Sequence, residues 1–293
     1  MIKLKEISVL CPAKINLTLD VLGLTDGGYH EIKSIMQTVS LYDEISVAIG
    51  GNKIDLHTNL PYVPRDERNT AYKAAKLFFE TVGATYGVRI NVKKVIPVAA
   101  GMAGGSADGA GVVFALNMLF GCPLSNLEIT ELCKKIGADV PFCYFGGTAL
   151  AGGIGEKLSA LPSMPDCSVV TVKPRGGLSA GEVYKTFDTF SDLSHPDSEK
   201  AIAALCRRDL HSLCESMENI FEPVCFSMLP VIKSVKDELL RFSPLKALMS
   251  GSGSSVFAIF DDADAASRCH RELASRFDCC FIAKPTDKGV IIK

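Results

Sequence analysis

The sequence predicts an α+β protein in two units, residues 1–160 and 161–293. At 293 residues the chain exceeds what one hydrophobic core usually serves, so two cores are expected. Stretches of period two and stretches of helical period occur in both halves, without the regular strand–helix–strand rhythm of a doubly wound parallel sheet. Between the halves the texture breaks: LPSMPDCS carries two prolines, and SVVTVKP then opens a new strand.

The N-terminal MIKLKEISVLCPAK alternates as a strand does, and Ile15, Leu17, Leu19 and Val21 alternate with Asn16, Thr18 and Asp20. TDGG at 25–28 supplies the turn of a hairpin, and further strands are expected near Glu44–Ile49 and Lys53–His57. Asn69 offers a short acceptor side chain to cap a helix through Phe79, which Gly83 can end. GVRINVKK puts Val88, Ile90 and Val92 on one face and leads into Pro97 and a run of small residues. Beyond that run, Val112, Val113, Ala115, Leu116, Leu119 and Phe120 have helical spacing. Ser125 and Glu128 form a capping-box pattern ahead of a helix that stops at Gly137. The second half reads as a strand, helices over 179–188, 198–218 and 229–241, the loop MSGSGSS, the strand SVFAIF, a helix, and a last strand near Cys280.

Net charge is −2 and no long lysine or arginine run occurs, which argues against a nucleic-acid groove or a polybasic membrane patch. The longest uncharged stretches, 109–127 and 140–155, are broken by Gly, Pro, Asn or Ser and read as core rather than membrane spans. The N-terminus lacks the apolar region of a signal peptide, so a cytoplasmic protein is expected. Its 11 cysteines form no CxxC pair and no His/Cys cluster; they read as reduced, mostly buried small hydrophobes.

Function concentrates in PVAAGMAGGSADGAG, 97–111. A glycine-rich loop running into a helix gathers bare N–H groups at the positive end of the helix dipole, which seats a phosphate. It is neither of the two common nucleotide loops. A Walker A loop needs Lys then Ser or Thr after its last glycine, and here Gly105 is followed by Ser106 and Ala107; GxGxxG is absent from the stretch. A phosphate loop without its own lysine must take cationic charge from elsewhere in the chain.

Three other segments belong with this loop. In CPAKINLTLDVLG, Lys14 and Asn16 fall on the same side of an extended segment. In GADVPF, Asp139 follows a helix stop and precedes Pro141, where a carboxylate can be aimed. MSGSGSSVFAIF is a second glycine-serine loop, with Ser250, Gly251, Ser252 and Gly253 able to close over a nucleotide. Singly each has an ordinary account as solvated charge, cap or turn. In this order, together, they resemble the GHMP small-molecule kinases.

That resemblance spans nearly the whole chain. It implies a two-domain fold, an N-terminal domain like domain 2 of ribosomal protein S5 and a C-terminal ferredoxin-like α/β sandwich, with the site in a cleft between them. It implies ATP as phosphoryl donor, arriving as its Mg²⁺ complex, with the triphosphate cradled by Pro97, Ala99, Ala100, Gly101, Met102, Ala103, Gly104, Gly105 and Ser106. Many relatives have GLGGGSS here; this chain has alanine or methionine at 100, 102, 103 and 107 and lacks the second serine. Adenine contacts are expected around residues 60–70 and on the helix after the cradle. Lys14 and Asp139 look like the catalytic pair, Asp139 near the acceptor hydroxyl and Lys14 touching both that hydroxyl and Asp139.

DGGYH at 26–30 is similar to a DGYH motif of those family members whose substrate is a cytidine diphosphate alcohol, and homoserine or mevalonate kinases do not share it. By that resemblance Tyr29 and His30 read cytosine, Tyr184 supplies a second ring so that the base lies between two aromatics, and Asn16 joins the same pocket. The alternatives are a homoserine- or mevalonate-type kinase, whose substrates carry a carboxylate, and a nucleotide-binding relative without catalysis. Small molecules are the expected partners of a monomer or homodimer.

Overall fold

A long antiparallel hairpin, β1 (Glu6–Leu24) and β2 (His30–Ile49), is the backbone of the first sheet in the computed structural model, which describes residues 5–84 and 86–293. The turn over TDGG is where the sequence places it. The length of β2 is not, since only its last residues alternate clearly. Residues 35–39 are buried on both faces, and register shifts at Pro12/Ala13, Asn16/Thr18 and Val21/Gly23 break the period-two signal.

The chain continues through β3 (Ile54–Thr58), α1 (Thr70–Val82), β4 (Val88–Lys93), α2 (Gly104–Leu119), α3 (Asn126–Ile136), α4 (Val140–Phe145), β5 (Thr148–Gly152) and β6 (Lys157–Ala160). Then come β7 (Ser168–Lys173), α5 (Ala180–Phe187), α6 (Ser198–Arg207), α7 (Leu210–Ser216), β8 (Glu218–Asn219), α8 (Glu222–Met228), α9 (Val231–Leu240), β9 (Lys246–Met249), β10 (Val256–Phe260), α10 (Ala263–Ala274), β11 (Cys279–Ala283) and β12 (Ile291–Ile292). The first sheet runs β12-β1-β2-β4-β3, with β5 and β6 extending from β2 and β8 lying parallel to β1. The second sheet is antiparallel, in the order β11-β7-β10-β9.

The cap residues act as their chemistry requires. The Asn69 side chain accepts from Ala71 N, Gly83 takes a left-handed φ of 64°, and Ser125 and Glu128 exchange both bonds of the capping box. The helix expected over 198–218 is broken in two. Arg208 turns left-handed at φ 54° and Asp209 caps a new helix by accepting from Ser212 N, so a local Asx acceptor outcompetes helix continuation. The short helix α8 was not expected.

Helix α2 begins earlier than its apolar spacing suggests, inside the glycine run. Twelve of its 16 residues are buried, so it has no polar face and passes through the middle of the larger core beside Phe78, Ile45 and Leu132. A second core, around Phe221, Val170, Ile232 and Phe260, lies under the second sheet. All 11 cysteines are free thiols and eight of them are buried. Among the described residues no helix is long and apolar enough to cross a membrane.

Candidate active site

The segment before α2 is wound tightly. Ala99, Gly101 and Ala103 take φ of 51°, 71° and 56°, and Ala103 is the residue from which α2 starts. Glycine suits such positions; each alanine costs on the order of 1 kcal/mol. The winding turns the first amides of α2 toward a cleft of about 350 Å³. Pro97, Ala99, Ala100, Gly101, Ala103, Gly104 and Gly105 line one wall of it, as the phosphate-seat reading expects, and Pro64, Arg68, Asn69 and Thr70 line the other. Two of the expected cradle residues do not line it. Met102 turns its side chain into the core, and Ser106 stands half-buried on the first turn of α2.

A buried lysine lies three residues before Pro97. Lys94 reaches the cleft with its Nζ 3.1 Å from where a Cβ on Gly104 would sit. It is buried and donates to Asp108 Oδ2 at 2.7 Å and to Asp43 Oδ2; Asp43 Oδ1 also accepts from the amides of Val95 and Ile96. Burial works against the ammonium, but Asp108 and Asp43 outweigh it and hold Lys94 above its ordinary value. For Asp108, burial dominates. It pushes the carboxyl well above the usual carboxylate range, against the pull of Lys94, and Asp108 Oδ1 has no partner among the described residues. Breaking such a buried set from one side costs about 3–5 kcal/mol. Neither Lys94 nor Asp108 is among the residues that the sequence motifs single out.

On the other side of the loop runs β1. Lys14 N donates to Met102 O at 3.2 Å, which holds the strand against the cradle, and the buried Lys14 ammonium donates to Asn16 Oδ1 at 2.5 Å. Asn16 Nδ2 in turn donates to Ser34 Oγ. The second glycine loop meets the first here. Ser255 N donates to Ala100 O, Ser250 Oγ donates to Gly101 O, and a Cβ on Gly251 would lie 3.4 Å from Asn16 Oδ1. Asn219 Nδ2 braces the loop through Met249 O and Gly251 O. Lys14, Asn16, the cradle and Gly251 are therefore one locality.

Asp139 lies just ahead of α4, half-buried, and its carboxylate makes no hydrogen bond among the described residues. The expected direct contact with Lys14 is not made: no ion pair joins them, and the Lys14 ammonium donates to Asn16. The two charges nonetheless act on a common neighbour. The Cys143 thiol is pushed up first by burial, then by Asp139, with Lys14 opposing. Asp139 also lies beside Gly155 of GIGE, and its charge is the second cause, after burial, that pushes the Tyr184 hydroxyl up to about 12.

The expected aromatic pocket is arranged differently from a sandwich of two tyrosines. His30, not an open slot, covers Tyr184: the rings stack at 4.8 Å and 27°, and Phe221 meets Tyr184 edge-on at 4.9 Å. Tyr29 projects from the hairpin turn and is 65% exposed. A 4.8 Å separation leaves no room for a base between His30 and Tyr184.

A glycine loop that opens a helix, Lys14 held against it, and a second glycine loop meeting it from the other sheet point to a small-molecule phosphotransferase of the GHMP class. The family model "GHMP kinases N terminal domain" matches residues 69–147 and "GHMP kinases C terminal" matches 201–279. The chain belongs to the GHMP kinases, and within them to the 4-diphosphocytidyl-2-C-methyl-D-erythritol kinase family. It is 43% identical to the kinase of that name from Clostridium botulinum (strain Alaska E43 / Type E3), over 93% of this chain and 97% of that one. The kinase of the same name from Acetivibrio thermocellus is 41% identical, over 96% and 99%. A crystal structure of 4-(cytidine 5'-diphospho)-2C-methyl-D-erythritol kinase superposes with a TM-score of 0.80 at 32% identity, covering 95% of this chain and 99% of that one. Homoserine kinase from Cytophaga hutchinsonii superposes equally well, TM-score 0.81, at only 21% identity over 100% and 99%, so the fold alone does not separate the two.

Proposed function

We propose that this kinase transfers the terminal phosphoryl of ATP to the 2-hydroxyl of 4-diphosphocytidyl-2-C-methyl-D-erythritol, giving the 2-phosphate and ADP on the non-mevalonate route to isopentenyl diphosphate. The observation that carries the choice of substrate is the His30–Tyr184 stack, an aromatic surface in the field of the Asp139 carboxylate. An aromatic imidazole surface suits a pyrimidine. His30 Nε2 is already engaged by the Asp188 carboxylate and is not left for that of homoserine or mevalonate.

The residues then have these roles. The amides at the start of α2 and the Lys94 ammonium take the triphosphate, with residues 62–70 on the adenine side. Mg²⁺ enters with ATP and is held chiefly by phosphate oxygens; among the described residues no three His, Cys, Asp or Glu side chains gather to hold a metal. Asp139, unpaired, accepts a hydrogen bond from the substrate alcohol and takes its proton late in transfer. Lys14, aimed by Asn16, neutralises charge on the moving phosphoryl group. Tyr29 covers the base from the turn. Ser250, Gly251, Ser252 and Gly253 close the cradle from the second sheet. The division near residue 160 is supported by β6 ending at Ala160 and β7 opening the second sheet at Ser168.

The test is competition. With Mg-ATP, the protein should release ADP with the cytidine compound and not with homoserine or mevalonate. Equal turnover of homoserine would reject the substrate, and no ADP with any alcohol would leave a nucleotide-binding protein.

A further inference from the structure

His30 Nε2 lies 2.7 Å from Asp188 Oδ1, and Asp188 is the residue that ends α5, one turn after Tyr184. The same short helix therefore stacks one ring on His30 and grips its ring nitrogen. His30 is only 12% exposed at its side chain, whereas Asp188 is about half exposed, so the imidazole is the held partner. A carboxylate only accepts, so Nε2 must carry the proton in that bond. In the neutral ring Nδ1 is then a bare acceptor, and among the described residues it has no partner.

We infer that Asp188 is a positioning residue for base choice: by locking the proton on Nε2 it leaves His30 Nδ1 to accept from the exocyclic amine of cytosine. This rests on the cytidine substrate proposed above. The amine donates at the position where uracil carries a carbonyl oxygen, so a uracil base would set lone pair against lone pair. Without Asp188 the ring can flip or shift its proton to Nδ1, and the distinction fades. Phe187 packs edge-on to His30 at 6.0 Å and limits how far the ring can swing, so proton placement rather than gross ring position is what Asp188 supplies.

The experiment measures kcat and KM for the cytidine substrate and its uridine counterpart with the full chain, Asp188→Ala and Asp188→Asn, together with the ¹⁵N NMR tautomer of His30. Asp188→Ala should raise KM for the cytidine substrate about tenfold and lower the cytidine-to-uridine preference about tenfold, with kcat and the KM for ATP within about twofold. Asp188→Asn still presents an oxygen to Nε2–H and should restore most of the preference. Wild-type protein should show the proton on Nε2. The inference is overturned by an unchanged preference in Asp188→Ala, by Asp188→Asn being as impaired as alanine, or by a proton on Nδ1 in the wild type, which is readable even if the alanine variant fails to fold. A wild type inert on the cytidine substrate sinks the functional reading and this inference with it; a wild type that is active beside an unchanged alanine variant sinks this inference alone.

Discussion

The hydroxyl of Ser250 donates to the carbonyl oxygen of Gly101 at 2.9 Å, so the two glycine loops, one from each sheet, meet backbone to backbone. Gly101 has a φ of 71°, and a Cβ there would fall 1.9 Å from Ser250 O. Backbone cannot yield as a flexible side chain would.

Gly101→Ala should therefore part the seam. The expected loss is about 3 kcal/mol of stability from clash and left-handed strain, with a raised KM for ATP because the cradle is misplaced. Urea unfolding and steady-state kinetics check both. A variant as stable as wild type would mean that the loops separate freely.

Asp139→Asn removes charge without removing a protein contact, because the carboxylate has no hydrogen bond among the described residues. The melting temperature should hold while kcat falls roughly 10²–10⁴-fold. Lys14→Met should lower kcat comparably and also cost stability, since Asn16 loses its donor. Single-turnover ADP formation with thermal melts separates the two patterns; near-normal turnover of Asp139→Asn rejects its catalytic role.

Asp108 links stability to pH. Burial raises its carboxyl in the folded chain, so the native state holds a proton that the unfolded state gives up near pH 4. The stabilisation tied to that proton is complete below about pH 4 and is lost as pH climbs through the raised folded value. Asp108→Asn has no such proton to lose and can still accept from Lys94. Its stability relative to wild type should grow from acid toward neutral pH in denaturant titrations. A gap that is constant with pH would refute the assignment.

Local chemistry was legible where it was self-contained. The caps at Asn69 and Ser125, the stop at Gly83 and the TDGG turn each depend on residues a few positions apart, and each formed. The strand over His30–Asp43 was hidden because it is buried on both faces and shifts register, leaving no period to read. In the site, cradle, Lys14, Asn16 and Asp139 could be named from motifs. Asp43, Lys94 and Asp108 could not, because their bonds span 51 and 14 residues and each looks unremarkable in its own segment. The packing of His30 on Tyr184 was hidden for a related reason: the Asp188 carboxylate that His30 meets lies 158 residues away, and no spacing rule reports that.

β12 pairs with β1, Ile291 against Leu10 and Ile292 against Val9. During synthesis, then, the outer rim of the first sheet at Val9 and Leu10 lacks this neighbour until residues 291–292 have left the ribosome. For that whole interval an apolar strand margin faces the cell, open to pairing with a second nascent chain.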